Sequence, residues 1–282
     1  MTLDAPTIQM KPIAPLSDVP VLQVEDLTVY QGTYPAIQTV SFEVFTGTDT
    51  AIVGPNGAGK STLVQAILGL IPVAEGHVRI FGRPLERLGR LRHQIGYIPQ
   101  NFIFERSFPL AVSELVGLGW VDSNLLHSSP QKLDQSRLQR FRWPWHSNPA
   151  KSAAIAQALE RVSAYHLRHR AIGNLSGGEL KRVLLAYCLV APRRLLILDE
   201  AFAGVDIQGE TDFYKLLHQL KHEQQWTVLQ ISHDLDMVSR HCDRVLCVNR
   251  RLICHGQPET ALSPENLLDA YGPAFSRYQH RH

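Results

Sequence analysis

The sequence lacks the features of a membrane-spanning, secreted or nucleic-acid-binding protein. None of its apolar runs reaches the roughly 18 residues that a membrane-crossing helix requires. Residues 1–20 contain several prolines and no apolar secretion signal, so we expect a flexible leader before a fold that begins near Val21. A formal net charge of +2 gives no reason to expect nucleic acid as a partner. We therefore expect a cytoplasmic protein, and any membrane part of its assembly has to come from a partner.

Cysteine is also scarce, and its spacing fits none of the common cysteine frameworks. The chain of 282 residues has four cysteines, and none of them forms a C-x-x-C pair. They are Cys188, Cys242, Cys247 and Cys254. This spacing favours reduced thiols over a disulfide framework or a zinc site.

Short apolar runs alternate with helical periodicity along most of the chain. The runs at residues 50–53, 195–198 and 227–231 are mostly apolar and continuous, as in a parallel sheet that is covered on both faces. The first hundred residues also contain β-structure of antiparallel type, and from Phe102 to about Val190 the pattern is helical. The sequence therefore predicts an α/β fold with a helical segment inserted between two halves of the sheet.

A glycine-rich loop follows the first of these runs and precedes a helical pattern. It matches the phosphate-loop pattern G-x-x-x-x-G-K-[ST] in full. Glycines let backbone N–H groups turn toward phosphates, Lys60 would reach the β- and γ-phosphates of ATP, and the Ser61 hydroxyl would bind Mg²⁺. The predicted nucleotide-binding residues here are Gly54, Pro55, Asn56, Gly57, Ala58, Gly59, Lys60, Ser61 and Thr62.

Two acidic residues follow the apolar run at residues 195–198. Asp199 and Glu200 would lie at the carboxyl edge of the parallel sheet, where ligands bind beside the phosphate loop. We predict Asp199 as a Mg²⁺ ligand and Glu200 as the group that polarises the attacking water. Taken alone, the two acids would equally fit a solvated turn, and their combination with the phosphate loop favours catalysis.

The segment LSGGE at residues 175–179 resembles the signature motif of the ABC (ATP-binding cassette) family. It lies between the phosphate loop and the acidic pair in the chain, and it opens a helical pattern. The resemblance implies a P-loop NTPase cassette with a RecA-like parallel sheet core, an antiparallel β subdomain and an inserted helical subdomain at about residues 101–190. It also implies a head-to-tail homodimer that holds ATP between the phosphate loop of one copy and the partner copy's Ser176, Gly177 and Gly178.

Further positions match this family in the expected order. Tyr30 resembles the aromatic residue that stacks on adenine, although a tyrosine at a strand end is an alternative. Gln100 resembles the glutamine that senses Mg²⁺ and water, and Asp206 resembles an aspartate at the dimer interface. His233 resembles the histidine that contacts the γ-phosphate. With these positions, the predicted catalytic residues are Lys60, Gln100, Glu200 and His233, and the predicted Mg²⁺ ligands are Ser61, Gln100 and Asp199.

The resemblance extends over nearly the whole chain that we expect to be ordered. It implies one ATPase domain at residues 21–256 and leaves residues 257–282 as a C-terminal tail. Ala201 stands where the family usually has proline, which loosens the turn after the predicted catalytic glutamate but removes no catalytic group.

Three shorter phrases resemble the manganese and zinc uptake branch of the family. They are SFPLAV at residues 107–112, EAFAGVD at 200–206, and VNRR at 248–251 with HG at 255–256. This resemblance implies import of a divalent metal ion through transmembrane permease subunits, with a substrate-binding protein as an indirect partner, at the cytoplasmic face of the inner membrane. ATPases of haem, siderophore or cobalamin importers and soluble ABC ATPases of assembly complexes are the alternatives.

The segment at residues 122–149 is the part least like a generic cassette. Trp143 and Trp145 stand there among arginine and lysine residues. One hypothesis is that the segment docks on the permease or on lipid headgroups, because tryptophan and arginine are enriched at such interfaces. The other is a solvated loop whose tryptophans pack on their own helices.

Overall fold

The computed structural model describes residues 20–105, 107–121, 148–201 and 207–273. The strands are β1 (Pro20–Gln31), β2 (Tyr34–Phe45), β3 (Asp49–Val53), β4 (Glu75–Ile80), β5 (Arg83–Pro84), β6 (Ile95–Ile98), β7 (Leu195–Asp199), β8 (Thr227–Ile231), β9 (Arg244–Asn249) and β10 (Arg251–Gly256). The α-helices are α1 (Lys60–Ile67), α2 (Val112–Leu118), α3 (Pro149–Arg161), α4 (Gly177–Leu189), α5 (Ile207–Gln224), α6 (Leu235–His241), α7 (Pro258–Ala261) and α8 (Pro264–Tyr271).

A six-stranded sheet with the order β10-β9-β3-β8-β7-β6 forms the centre of the fold. Its neighbouring strands are parallel except for β10, which pairs antiparallel with β9. Every residue of β3, β7 and β8 is buried, because both faces of these strands are covered. The predicted parallel core is confirmed. Since β3, β7 and β8 run in one direction, the loops that follow them meet at one edge of the sheet.

A second, antiparallel sheet has the order β2-β1-β4-β5 and forms the predicted β subdomain. Leu22 of β1 and Ile37 of β2 share a buried core with Leu63 and Ile67 of α1. Ile52 of β3 belongs to the same core, so α1 packs with both sheets. This packing sets the direction of α1, whose first residue follows the phosphate loop.

Helices α2, α3 and α4 share one apolar core with the ends of β6 and β7, as the predicted helical insertion requires. The helical pattern that the sequence predicts from Phe102 onward is wrong for its first residues, because residues 101–105 and 107–111 contain no helix. Phe102 and Phe104 pack against the helical core as separate aromatic anchors, with ring centroids 5.5 Å apart. Their apolar spacing therefore reflects this packing and not a helix.

The segment after Gly256, which the sequence analysis treats as a tail, contains two short helices. A proline occupies one of the first two positions of α7 and of α8, and the Ser263 hydroxyl caps α8 by accepting from the N–H of Asn266. Leu267 and Ala270 are buried, and Asn249 Nδ2 donates to the Ala270 carbonyl at 3.0 Å. Both helices pack against β9 and β10, so the packed fold continues beyond Gly256.

The expectation of four reduced thiols is wrong for one pair. Cys247 of β9 and Cys254 of β10 face each other in the antiparallel register, with Cα atoms 5.0 Å apart, and form a disulfide. Cys188 and Cys242 are free. The two sulfurs, seven residues apart in the chain, come together because the chain reverses between β9 and β10. This spacing is not among the common patterns, such as C-x-x-C, from which cysteine pairs are predicted.

Candidate nucleotide site

The phosphate loop connects β3 to α1 along a path that requires glycine at two positions. Glycine is required at Gly54, with φ 153°, because a Cβ there would lie 1.9 Å from the Val248 carbonyl oxygen. It is also required at Gly59, with φ 90°, where a Cβ would lie 2.5 Å from the Ala36 carbonyl oxygen. At these two positions the loop therefore passes too close to neighbouring backbone for any side chain. The loop continues directly into the N-terminus of α1.

Lys60 begins α1 and points back along this loop. Its side chain is buried, and Nζ donates to the carbonyl oxygens of Gly54 at 2.8 Å and Pro55 at 2.9 Å. Burial lowers the pKa of Lys60, while the nearby carboxylates of Glu200 and Asp199 act in the opposite direction. The ammonium group thus lies between the loop backbone and the acidic pair.

The next two residues of α1 contact other elements. The Ser61 hydroxyl donates to Asp199 Oδ1 at 2.9 Å, at the end of β7. Thr62 is buried, and its hydroxyl accepts from Gln31 Nε2 at 3.1 Å. A serine hydroxyl and a carboxylate in contact are a donor set that suits Mg²⁺, which prefers oxygen ligands and is bound in proteins by few side chains.

Tyr97 of β6 also lies beside Asp199, and the sequence analysis does not predict it as a site residue. Its hydroxyl lies 3.5 Å from Asp199 Oδ2. Burial, followed by the Asp199 charge, raises the pKa of Tyr97 to about 12, and burial also raises the pKa of Asp199. The apolar pattern of β6 gives no sign of this polar role, which depends on the pairing of β6 with β7.

Glu200 is held through both of its carboxylate oxygens. Gln100 Nε2 donates to Oε2, and His233 Nε2 lies 2.5 Å from Oε1. Glu200 has a φ of 46°, in the left-handed region that a side chain other than glycine rarely adopts. Such backbone strain is typical of functional sites. The structure thus brings together Gln100, Glu200 and His233, which follow three different strands.

The LSGGE segment forms the start of α4. The Ser176 hydroxyl accepts from the N–H of Glu179 at 3.2 Å, and Glu179 Oε2 accepts from the N–H of Ser176 at 2.7 Å. This reciprocal pair is a capping box. Ser176 and Gly177 are exposed, and no hydrogen bond of the described residues joins residues 176–178 to the phosphate loop of the same chain. The N-terminus of α4 is accessible to a second molecule.

A family model described as ABC transporter matches residues 37–203. This chain belongs to the ABC transporter family. It is 32% identical over 268 residues to the zinc import ATP-binding protein ZnuC of Mannheimia succiniciproducens, with 94% of this chain and 88% of that protein covered. It is 36% identical over 255 residues to the zinc transport system ATP-binding protein TroB of Treponema pallidum, covering 90% and 88% respectively.

The solved structures support the same assignment. The ADP conformation of an ATP-binding cassette of an ABC transporter is 26% identical to this ABC ATPase, with a TM-score of 0.71 over 89% of this chain and 98% of the other. The chain is therefore a nucleotide-binding ATP hydrolase of the ABC type. Within the ranges that the structure describes, no helix of this ATPase is both long and apolar enough to cross a membrane.

For two predicted site residues of the ABC ATPase, the role stays a prediction. Tyr30 is 49% exposed near the end of β1, a position that suits either adenine stacking or an ordinary strand-end tyrosine. Asp206 lies outside the described residues, as do Trp143 and Trp145. The roles of all four stay predictions.

Proposed function

We propose that this ABC ATPase powers the import of a divalent metal ion, zinc in the first place and manganese as the alternative. The observation that carries the proposal is the similarity to a zinc import and a zinc transport ATP-binding protein over about nine-tenths of each chain. The phrases at residues 107–112 and 200–206 support the same branch. In this role the ATPase does not touch the ion, and its chemistry is ATP hydrolysis.

ATP would bind with its phosphates against the backbone N–H groups of the phosphate loop. Lys60 would exchange its carbonyl contacts at Gly54 and Pro55 for the β- and γ-phosphates, which compensates the cost of burying its charge. Ser61 and Asp199 would hold Mg²⁺, which neutralises charge on the phosphates when bound. Gln100 is the third ligand that we propose for this ion.

Glu200 is the group that we propose to polarise the attacking water. Its two oxygens accept from Gln100 and contact His233, so the carboxylate is oriented before a substrate arrives. When ATP binds, one of these oxygens would accept a hydrogen bond from the attacking water, while the His233 side chain would turn to the γ-phosphate. Positioning and charge stabilisation then account for the catalysis, as expected for phosphoryl transfer.

We further propose that the ATPase acts as a homodimer. The exposed N-terminus of α4 carries Ser176, Gly177 and Gly178, and such a terminus suits the phosphates of ATP held by a second copy. Each ATP would then be enclosed by the phosphate loop of one copy and the signature segment of the other. Closure of the pair would depend on nucleotide, and hydrolysis would reopen it.

A membrane permease is the partner that we propose for the surface next to Gln100. Ile103 is 92% exposed, and Phe108 and Leu118 are more than half exposed in the same part of the chain. Ile103 and Phe108 follow Gln100 by three and eight residues in the chain, and Leu118 is the last residue of α2 in the helical subdomain. An exposed apolar group of this kind favours a protein contact. Contact here would transmit closure of the ATPase pair to the permease, and the transporter would also include a substrate-binding protein.

The test is uptake by a strain that lacks this chain. We expect zinc uptake, or manganese uptake, to fall and to be restored by the wild-type chain but not by the Glu200→Gln variant. Haem and cobalamin uptake are measured in parallel. Loss of haem or cobalamin uptake with normal metal uptake would contradict the metal proposal and favour those importers, and normal uptake of all four would favour a soluble assembly factor.

A further inference from the structure

A buried lysine outside the recognised motifs connects the signature helix to the loop after β6. Lys181 lies in the second turn of α4 and is only 7% exposed. Its Nζ donates to the Gln100 carbonyl oxygen at 3.0 Å and lies 3.5 Å from the Pro99 carbonyl oxygen. Lysine is rarely buried without partners for its charge, because the buried ammonium group loses hydration that hydrogen bonds or opposite charges must replace.

The surroundings of this ammonium group are those of the catalytic centre. Burial lowers the pKa of Lys181, and the charges of Asp199 first and Glu200 second oppose that shift. The same two carboxylates oppose the lowering of the pKa of Lys60, which follows the phosphate loop. Two buried lysines therefore lie near one acidic pair, and Lys181 approaches it from the side of the helical subdomain.

The contacts of Lys181 continue without a break to the proposed catalytic residues. Lys181 holds the backbone of Gln100, the Gln100 amide donates to Glu200, and the other oxygen of Glu200 contacts His233. About one turn before Lys181, Ser176 caps the N-terminus of α4. One rigid helix thus carries both the signature segment, which we assign to the ATP of the partner copy, and the side chain that fixes Gln100 in its own copy.

We infer that Lys181 is a positioning residue, which holds the backbone of Gln100 so that the Gln100 amide orients Glu200. Through these contacts, the orientation of Glu200 depends on the position of α4. This inference rests on the proposed function, because it assumes that Glu200 polarises the lytic water and that Ser176 acts on the partner's ATP. Lys181 reaches no substrate itself. Without it, Gln100 would keep its side chain but lose the backbone contact that sets its direction.

The first test compares steady-state ATP hydrolysis by the full-length chain and its variants. Lys181→Met keeps the length of the side chain but removes its charge and donors, and we expect kcat to fall by between about tenfold and a hundredfold, since small misplacements of catalytic groups have effects of this size. KM for ATP should change much less, because the phosphate loop is untouched. Lys181→Arg, which keeps donors and charge, should recover most of kcat.

Arg182→Met is the matched control for these variants. Arg182 is the next residue of α4, and its Nη1 donates to the Val162 carbonyl oxygen at 3.3 Å, away from Gln100. It should keep the wild-type kcat. Equal kcat values for Lys181→Met and the wild type would overturn the inference, and so would an equal loss in Arg182→Met. If Lys181→Met does not fold, Lys181→Leu, which also removes the charge and the donors, takes its place, and wild-type kcat in that variant would again overturn it.

The second test is a double-mutant cycle with Gln100→Ala. If Lys181 acts through Gln100, the double variant should have nearly the same kcat as Gln100→Ala alone. Losses that multiply would show independent roles and would overturn the inference. Lys60→Ala and Glu200→Gln separate the two proposals. If both still hydrolyse ATP at the wild-type rate, the proposed function fails, whereas if both are inactive and the Lys181 variants are normal, only this inference fails.

Discussion

Glu200 Oε1 lies 2.5 Å from His233 Nε2, so the carboxylate after β7 and the imidazole after β8 share one contact. The other oxygen of Glu200 accepts from Gln100. The two contacts orient the carboxylate, and Glu200 itself has a strained backbone with a φ of 46°.

Replacing Glu200 with glutamine should separate ATP binding from hydrolysis. The variant keeps the size of the side chain but has no carboxylate to polarise water, so hydrolysis should slow by roughly a hundredfold or more. ATP affinity should stay near the wild-type value, and a closed dimer should accumulate with ATP. Steady-state turnover and size-exclusion chromatography measure both effects. Turnover near the wild-type rate would exclude Glu200 as the catalytic base.

Replacing Ser176 with arginine should damage the ATP site of the other copy. The exposed N-terminus of α4 would carry a bulky side chain, so hydrolysis should be lost while the isolated monomer still binds nucleotide. Mixing Ser176→Arg with Lys60→Ala chains should give at most one intact site in each heterodimer. If ATP does not promote dimerisation even in the Glu200→Gln background, the shared site is contradicted.

Asp49 should make the stability of the ATPase depend on pH. It is buried at the start of β3, where Gln230 Nε2 donates to its Oδ1 at 2.8 Å and Lys221 Nζ lies 4.0 Å from Oδ2. Burial is the largest cause that raises its pKa from 3.8 to about 6, and Asp243 acts in the same direction, while Lys221 opposes the shift. The fold therefore favours the protonated carboxyl, a stabilisation that is complete below pH 3.8 and lost as pH rises through about 6.

Asp49→Asn should remove this dependence, because asparagine stays neutral and still accepts from Gln230. The difference in melting temperature between the variant and the wild type should grow by a few degrees in favour of the variant as pH rises from about 4 to about 7. Thermal melts at a series of pH values measure this. Parallel curves for the two proteins would show that Asp49 does not titrate in this range.

Ile103→Asp should weaken permease binding without unfolding the ATPase. Ile103 is 92% exposed, so the free chain should keep its stability within about 0.5 kcal/mol, while an apolar contact with the permease would be lost. Leu268→Asp, at a 46% exposed position of α8, is the control. Co-purification with the permease and melting temperature are the two measurements. Normal co-purification of Ile103→Asp would exclude this surface as a major contact.

The local motifs of this protein were determined by the sequence itself. The phosphate loop, the apolar run that ends in Asp199 and Glu200, and the LSGGE segment each occupy consecutive residues, and glycine, proline and apolar spacing act over a few residues. The strands β3, β7 and β8 could therefore be predicted closely, and so could the edge of the sheet at which Glu200 and His233 follow them.

Contacts between distant residues were decided only by the tertiary structure. Glu200 meets Gln100 across 100 residues of sequence and His233 across 33, and Lys181 meets Gln100 across 81. The hydroxyl of Tyr97 and the pairing of Cys247 with Cys254 likewise depend on which strands become neighbours. Local propensities contain no information on such pairing, because it arises when the sheets and helices bury their apolar faces against one another.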